Sequence, residues 1–227
     1  MTEYQQKEFK PSLNKVKDLT PPLATVYGAN YEDYPRHPFD TTAAAARWGA
    51  QFAEQGYHSF VYLNSDEHHM FRNNPATGVP PTNAELFIYA GHGTENSQLK
   101  LKGEDVIIDY ADMTNLFNNR SGPADFSDCR LAIFLACNSA DKEVHTVVGG
   151  VLSAAVECGA RAAFGFNGKI KEYTVYKFMD YMMGPLLKGE SIGEAARYAR
   201  SRIRLPFLNR EYHIHGDAGT CLSLPGK

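Results

Sequence analysis

The sequence has few cysteines, and none of them lies in a paired motif. The chain of 227 residues contains four, at Cys129, Cys137, Cys158 and Cys221. Their small number and uneven spacing exclude a disulfide framework, and the absence of any C-x-x-C pair argues against a zinc or thiol redox motif. Free thiols are therefore expected.

Long apolar segments are also missing. The most apolar stretch, Val147 to Phe166, contains Glu157 and Arg161, and inserting these charges into lipid would be costly. The residues before Leu23 are polar and include no apolar core of the length that a signal peptide needs. We therefore expect no membrane segment and a cytoplasmic location.

The charge is nearly balanced, so no strong excess of one sign is present. Lysine and arginine total 23 against 26 aspartate and glutamate residues, which gives a net charge of −3. Such a chain offers no strongly basic face to phosphate backbones or anionic lipid, so we expect no nucleic-acid partner and no membrane partner. The Gly-x-x-x-x-Gly-Lys phosphate loop is absent as well.

Short apolar runs alternate with longer amphipathic ones, which is typical of a mostly parallel sheet covered by helices. We predict an α/β fold, a three-layer α/β/α sandwich with a mostly parallel central sheet. Residues 23–227 are expected to form a single domain that follows a polar N-terminal arm over residues 1–22. The predicted strands are Leu23–Gly28, Ser59–Leu63, Glu85–Ala90, Arg130–Ala136, Ala160–Phe166 and Thr220–Leu224; the predicted helices are Thr41–Gln55, Asp66–Asn73, Asp112–Asn119, Val144–Cys158, Glu172–Leu187 and Ser191–Ile203. Gln98–Leu101 and Val106–Asp109 are expected to form a small hairpin appended to the sheet.

Two short motifs follow two of the predicted strands. Gly91-His92-Gly93 comes directly after ELFIYA, and Cys137 comes directly after RLAIFLA. The carboxyl ends of parallel strands converge on one edge of a doubly wound sheet, where reacting groups bind. A thiol close to the start of the next helix, with an imidazole nearby, makes an activated nucleophile. The main-chain N–H groups of Gly93 and Cys137 are suited to stabilising an oxyanion, so the pattern favours acyl-transfer chemistry.

The segments ELFIYAGHG and RLAIFLAC resemble the caspase-like cysteine peptidases of clan CD, a group that includes caspases, metacaspases, clostripain, gingipains, separase and CHAT-type peptidases. The 45 positions from His92 to Cys137 are close to the roughly 50 noted for caspases. The resemblance covers roughly residues 23–224. It extends to the ending His215-Gly216-Asp217, although Ala218 replaces the proline that many relatives have.

This resemblance implies a cysteine endopeptidase that acts on protein or peptide substrates. Cys137 would be the nucleophile and His92 the general acid/base, and the peptide bond would be hydrolysed through a thioacyl-enzyme intermediate. Gly93 and Cys137 would supply the main-chain oxyanion donors. No cofactor or metal is implied. Leu135 stands where the clostripain-like pattern has an aspartate, so a preference for basic residues is not carried over.

The substrate pocket is predicted from strand ends and from the same resemblance. Arg36 follows the first predicted strand, roughly where caspases place an arginine that reads an acidic side chain, whereas the neighbouring Glu32 and Asp33 would favour a basic substrate. The remaining predicted pocket residues end the fifth strand and are Gly165, Phe166 and Asn167.

Two other functions compete with the peptidase. One is a caspase-like binding or regulatory module with a catalytically silent Cys-His dyad, and the other is an acyltransferase that uses the same thiolate. His213 and His215, with Asp217 nearby, have the spacing of one strand face, and an ordinary pair at a strand edge is favoured over a metal site. No pattern in the sequence predicts an oligomeric state.

Overall fold

The structure is a computed structural model that describes residues 4–11, 21–30, 40–64, 70–94, 98–101, 107–114, 124–137, 150–168, 170–203 and 212–223. The strands in these segments are β1 (Gln5–Phe9), β2 (Leu23–Gly28), β3 (His58–Leu63), β4 (Leu86–Ala90), β5 (His92–Gly93), β6 (Leu99–Lys100), β7 (Ile107–Ile108), β8 (Leu131–Leu135), β9 (Ala162–Phe166) and β10 (Tyr212–Gly216). The helices are α1 (Thr41–Glu54), α2 (Tyr110–Thr114), α3 (Val151–Glu157), α4 (Glu172–Leu186) and α5 (Ile192–Arg202), with a short 3₁₀ turn at Pro81–Asn83.

The main sheet has seven strands in the order β1-β3-β2-β4-β8-β9-β10. Its five central strands are parallel, and β1 and β10 pair antiparallel at the two outer edges. A second, antiparallel sheet contains β5, β6 and β7. The predicted α/β fold with a mostly parallel sheet is therefore confirmed, and the predicted hairpin is present with β5 added as a third strand.

The main sheet buries a hydrophobic core on each face, because successive side chains of a strand point to opposite sides. In β4, Leu86, Ile88 and Ala90 belong to one core, and Phe87 and Tyr89 belong to the other. The first core is covered by α1, α4 and α5, and the second by α3, part of α2 and the small sheet. This arrangement gives the three layers that the sequence pattern predicts.

Trp48, the chain's single tryptophan, fixes α1 against α4. Its side chain is completely buried, and its indole N–H donates a hydrogen bond to Asp180 Oδ1 at 2.9 Å. The Tyr176 ring meets the indole at 5.9 Å between centroids, and the Tyr176 hydroxyl lies 2.6 Å from Thr41 Oγ1 at the start of α1. The first core is thus closed by paired polar atoms as well as by apolar packing.

Strand β1 lies inside the segment that the sequence predicts as an arm. Gln5–Phe9 pairs antiparallel with residues 59–63 of β3 and forms one outer edge of the main sheet. Four of its five side chains are exposed, so the strand has no alternating apolar pattern by which sequence reasoning could recognise it.

The predicted final strand is wrong. The antiparallel strand that closes the sheet is β10, Tyr212–Gly216, and residues 220–223 have no strand structure. Leu222 is buried there, and the side chains of Tyr57, Glu85 and Arg130 bond to the main chain of residues 221–223 in place of ladder hydrogen bonds. Two predicted helices, Asp112–Asn119 and Val144–Cys158, correspond to α2 and α3, and their other residues lie largely outside the described part. The predicted helix Asp66–Asn73 is described only from Met70, and its helical part ends at Phe71.

Among the helices that the structure describes, none is both long enough and apolar enough to cross a membrane.

Candidate active site

The residues that follow β2 and β4 donate main-chain hydrogen bonds to the last residues of the neighbouring strands. The Ala29 N–H donates to the Ala90 carbonyl at 3.0 Å, and the Gly91 N–H donates to the Leu135 carbonyl at 3.3 Å. These bonds continue the parallel ladder past the ends of β2, β4 and β8. They fix the segment that leads into His92 beside the segment that leads into Cys137.

Gly93 brings the two motifs into direct contact. A Cβ atom at this position would lie only 1.8 Å from the Cys137 carbonyl oxygen and 3.1 Å from the Cys137 nitrogen. The main chain of Gly93 therefore packs against the main chain of Cys137 in space that no side chain can share. His92 is half-buried in β5 and pairs with Lys100 of β6.

Tyr89 lies beneath this turn and is a residue that sequence reasoning missed. Its side chain is completely buried, and its hydroxyl is within hydrogen-bonding distance of the main-chain carbonyls of His92, at 3.1 Å, and of Lys100. Burial raises the pKa of this phenol, so it remains a hydrogen-bond donor at physiological pH. The only sequence signal for this contact is that Tyr89 stands two residues before Gly91, and no recognised motif includes that position.

The Cys137 thiol contacts the loop that follows β9. The thiol is half-buried, and Sγ lies 3.4 Å from both the nitrogen and the carbonyl oxygen of Ile170. The Ile170 N–H can donate to sulfur, whereas the protonated thiol can donate to the carbonyl. Sequence reasoning missed this contact because a main-chain group has no side-chain signature.

The other three cysteines have different surroundings. Cys129 is buried, and burial raises the pKa of its thiol far above the ordinary value. Burial, assisted by the Glu157 carboxylate, raises the pKa of Cys158 to about 11. Cys221 is half-buried, like Cys137, and its Sγ donates to the Gly219 carbonyl at 3.4 Å. All four cysteines are free.

The predicted pocket residues differ in burial and in their position on β9. Phe166 is completely buried and packs against Phe164 and Phe178, so its side chain belongs to the first core, and its place in the pocket stays a prediction. Phe164 and Phe166 are two residues apart in β9, and strand geometry therefore turns both toward the same core. Gly165 is also buried in β9, at a register position between Phe134 and His213.

Asn167 lies immediately after β9, at the same edge as Cys137. Its Oδ1 atom is buried and has no hydrogen-bond partner in the described part of the chain. Arg36, Glu32 and Asp33 lie outside the described residues.

No group of three histidine, cysteine, aspartate or glutamate side chains in the described segments is arranged to hold a metal ion. His213 and His215 lie on β10, with their ring centroids 6.5 Å apart.

The fold is similar to solved structures of cysteine peptidases. A chain of the separase–securin complex from Saccharomyces cerevisiae is 16% identical, with a TM-score of 0.54, over 86% of this chain and 12% of that chain. The Arg-specific cysteine proteinase gingipain R is 10% identical, with a TM-score of 0.61, over 94% of this chain and 51% of that chain. A further protease structure is 16% identical, with a TM-score of 0.54, over 89% of this chain and 49% of that chain.

The chain thus spans about half or less of the length of these proteins. Its sequence matches no protein-family model and no curated protein. At 10–16% identity the likenesses establish architecture alone. The resemblance that the two motifs predict is confirmed at that level, and the chain has the caspase-like fold of the clan CD cysteine peptidases.

Proposed function

We propose that this protein is a cysteine endopeptidase with Cys137 as nucleophile and His92 as general acid/base. The observation that carries the proposal is the contact between Gly93 and the Cys137 main chain, since it joins the His-Gly and Ala-Cys motifs at one edge of the sheet. The fold shared with known proteases supports the same reaction class.

In the proposed reaction, His92 takes the proton of the Cys137 thiol, and the sulfur attacks the scissile carbonyl carbon and forms a tetrahedral oxyanion. The main-chain N–H groups of Gly93 and Cys137 are the proposed donors to this oxyanion. The C–N bond then breaks, and His92 passes a proton to the leaving amine. Water, deprotonated by His92, then attacks the thioacyl carbon, the C–S bond breaks, and His92 returns the proton to the sulfur, which restores the free thiol.

The proposed substrate is a protein or peptide bound in an extended conformation across the carboxyl edge of the sheet. Asn167 remains a proposed pocket residue, because its buried oxygen could accept a hydrogen bond from a substrate donor. Gly165 and Arg36 stay in the proposal as predicted from the sequence. The four free thiols fit a reducing compartment, which supports the cytoplasm as the proposed location.

A binding or regulatory module with a silent dyad is the second candidate, and one observation favours it. The Cys137 sulfur already has polar contacts, at 3.4 Å, with both the nitrogen and the oxygen of Ile170. A protein that keeps this contact permanently would hold its thiol away from a substrate.

Cleavage of a fluorogenic peptide library, varied at the residue before the scissile bond, tests the peptidase under reducing conditions with and without calcium. The wild-type protein should cleave part of the library, and Cys137→Ala should lose at least about 1,000-fold in rate, as expected for a missing nucleophile. Cys221→Ala is a matched control, because both thiols are half-buried and both contact a main-chain carbonyl at 3.4 Å. This control should keep its rate within about twofold.

Cleavage that survives in Cys137→Ala would contradict the proposal. If the wild-type protein cleaves nothing and Cys137 is alkylated no faster than Cys221, the silent module becomes the better description.

A further inference from the structure

The proposed general acid/base, His92, lies on a strand of only two residues. Such a short antiparallel strand has little stability of its own, and β5 pairs with an equally short β6. Catalysis requires that the imidazole stay within about 0.5 Å of its productive position relative to the thiol. Another group must therefore hold this segment.

Tyr89 has the geometry to do so. Its ring is buried in the second core, two residues after Phe87 on the same face of β4 and between Tyr27 and Phe134 in the register of the main sheet. Its hydroxyl reaches the carbonyls of His92 and Lys100, which are register partners in the small sheet. One side chain thus links the rigid central strand β4 to both strands of the unit that carries His92.

The glycine before His92 fits the same arrangement. A Cβ atom on Gly91 would lie 2.6 Å from the Tyr89 hydroxyl oxygen and 3.0 Å from the ring carbon that bears it. The phenol therefore occupies the space that a side chain at position 91 would need. Gly91 and Gly93 serve different contacts, since Gly91 admits the Tyr89 hydroxyl and Gly93 admits the Cys137 carbonyl.

We infer that Tyr89 is a positioning residue, whose hydroxyl holds the main chain of His92 and thereby sets the direction of the imidazole relative to Cys137. This inference rests on the proposed function, because positioning matters only if His92 acts on the thiol. Tyr89 does not touch the reacting atoms in this account. It acts through the carbonyl of His92.

The experiment measures the alkylation rate of Cys137 by iodoacetamide between pH 5.5 and 9.5, with mass spectrometry resolving each cysteine. The proteins are the wild type, His92→Ala, Tyr89→Phe and Tyr57→Phe. Tyr57 is a matched control, because it is also completely buried and its hydroxyl donates to a main-chain carbonyl, that of Ser223, at the opposite edge of the sheet. Both phenylalanine variants should lower Tm by a similar amount, about 2–4 °C.

Near pH 7 we expect Tyr89→Phe to lose about 3- to 10-fold in the alkylation rate of Cys137, the equivalent of one hydrogen bond, whereas Tyr57→Phe stays within twofold of the wild type. The loss should shrink toward pH 9.5, where an ordinary thiol ionises without help. A general loss of stability would lower the rates of both variants alike. With the best peptide of the library, the loss should lie in kcat, and KM should change little.

A second pair of variants keeps the phenol itself. Gly91→Ala should displace the Tyr89 hydroxyl and lose a similar fraction of the alkylation rate, whereas Gly184→Ala, which has open space around the added methyl group, should not. In the double variant Tyr89→Phe/Gly91→Ala the combined loss should be smaller than the product of the single losses, because the hydroxyl that collides is gone.

The outcomes separate this inference from the proposed function. If His92→Ala slows alkylation and Tyr89→Phe and Gly91→Ala do not, the inference is overturned and the dyad stands. Equal losses in Tyr89→Phe and Tyr57→Phe would also overturn it. If the wild-type protein is alkylated no faster than His92→Ala, the dyad itself fails, and the positioning role fails with it.

Discussion

The two ends of the main sheet are held together in different ways. At the amino ends of the strands, side chains hold the main chain of residues 221–223. The Tyr57 hydroxyl donates to the Ser223 carbonyl, and the Ser223 N–H donates to Glu85 Oε1 at 2.5 Å. The Arg130 guanidinium donates to the Cys221 carbonyl at 3.3 Å. Main-chain bonds are present at both ends, for example from the Arg130 N–H to the Glu85 carbonyl, but at the carboxyl ends the two candidate motifs meet through main-chain atoms, with the Tyr89 hydroxyl as a side-chain contact. Gly91 is bonded to Leu135, and Gly93 packs against Cys137.

This difference suggests a division of labour between the two ends. Where side chains make the fastening contacts, they serve stability. Where main-chain groups make those contacts, as at Cys137, the side chain remains available for chemistry, as is common at the carboxyl edge of a parallel sheet. Substitutions at the amino end should therefore alter stability alone, and substitutions at the carboxyl end should alter the reactivity of Cys137.

Gly93→Ala should have the largest effect, because the added methyl group would lie 1.8 Å from the Cys137 carbonyl oxygen. We expect the free energy of unfolding in urea to fall by about 1–3 kcal/mol or more, as for other overpacked sites. The alkylation rate of Cys137 should fall by at least about tenfold, since both motifs must move. Gly184→Ala, which sits in α4 with open space, should be neutral or stabilise by about 0.5–1 kcal/mol. Equal free energies of unfolding for Gly93→Ala and Gly184→Ala would contradict the close contact between Gly93 and Cys137.

Glu85→Gln tests the amino end of the sheet. The side chain is only 15% exposed, accepts from Ser223 N–H and lies 3.8 Å from the Arg130 guanidinium, so removing its charge should cost about 1–2 kcal/mol in the free energy of unfolding. The alkylation rate of Cys137 should stay within about twofold. Glu190→Gln in the exposed turn after α4 serves as control. A large drop in Cys137 reactivity in Glu85→Gln would break the proposed division.

The smallest expected effect concerns Cys158. Its thiol lies at the amino end of the sheet and can be compared with the Cys137 thiol at the carboxyl end. With its pKa raised to about 11, only about one thiol in 3,000 is ionised at pH 7.5. Its alkylation rate should therefore rise about tenfold for each pH unit between 7 and 10, without a plateau. Alkylation of Cys158 as fast as that of Cys137 at pH 7.5 would remove the contrast between the two ends.

The same shift predicts a pH dependence of stability. Because the folded state holds the Cys158 proton more tightly than the unfolded state, whose thiol has a pKa of about 8.5, the stabilisation is complete below that value and is lost as the pH rises toward 11. The thiol is half-buried, and screening by solvent keeps the effect small. Urea unfolding between pH 7 and 10 should show a shallower decline in Cys158→Ala than in the wild type.

Much of the fold could be predicted because its central elements carry strong patterns. The strands β2, β4, β8 and β9 are apolar runs that end within two residues of their predicted limits, and α1 begins at the predicted residue, after Asp40, whose side chain accepts from the Ala43 N–H. A capping box at Ser191 and Glu194 likewise starts α5. Local chemistry determines such boundaries, so local reasoning finds them.

The elements that escaped prediction depend on distant contacts. Strand β1 is polar and exists through its pairing with β3, which lies about 50 residues further along the chain. Residues 220–223 look like a strand, but Tyr57, Glu85 and Arg130 hold their main chain instead. At the site, two adjacent motifs were predictable from strand ends, whereas Tyr89 and Ile170 were not, because their roles depend on main-chain carbonyl and amide groups that any residue provides.

The buried indole of Trp48 has a practical consequence, because it is the chain's only tryptophan. Its fluorescence reports on the packing of α1 against α4 and should shift to longer wavelength when that packing is lost. The indole belongs to the first core, whereas Tyr89 belongs to the second. Emission spectra can thus verify that each variant of the candidate site retains its native first core, and they do so without an added dye and without modifying the thiol under study.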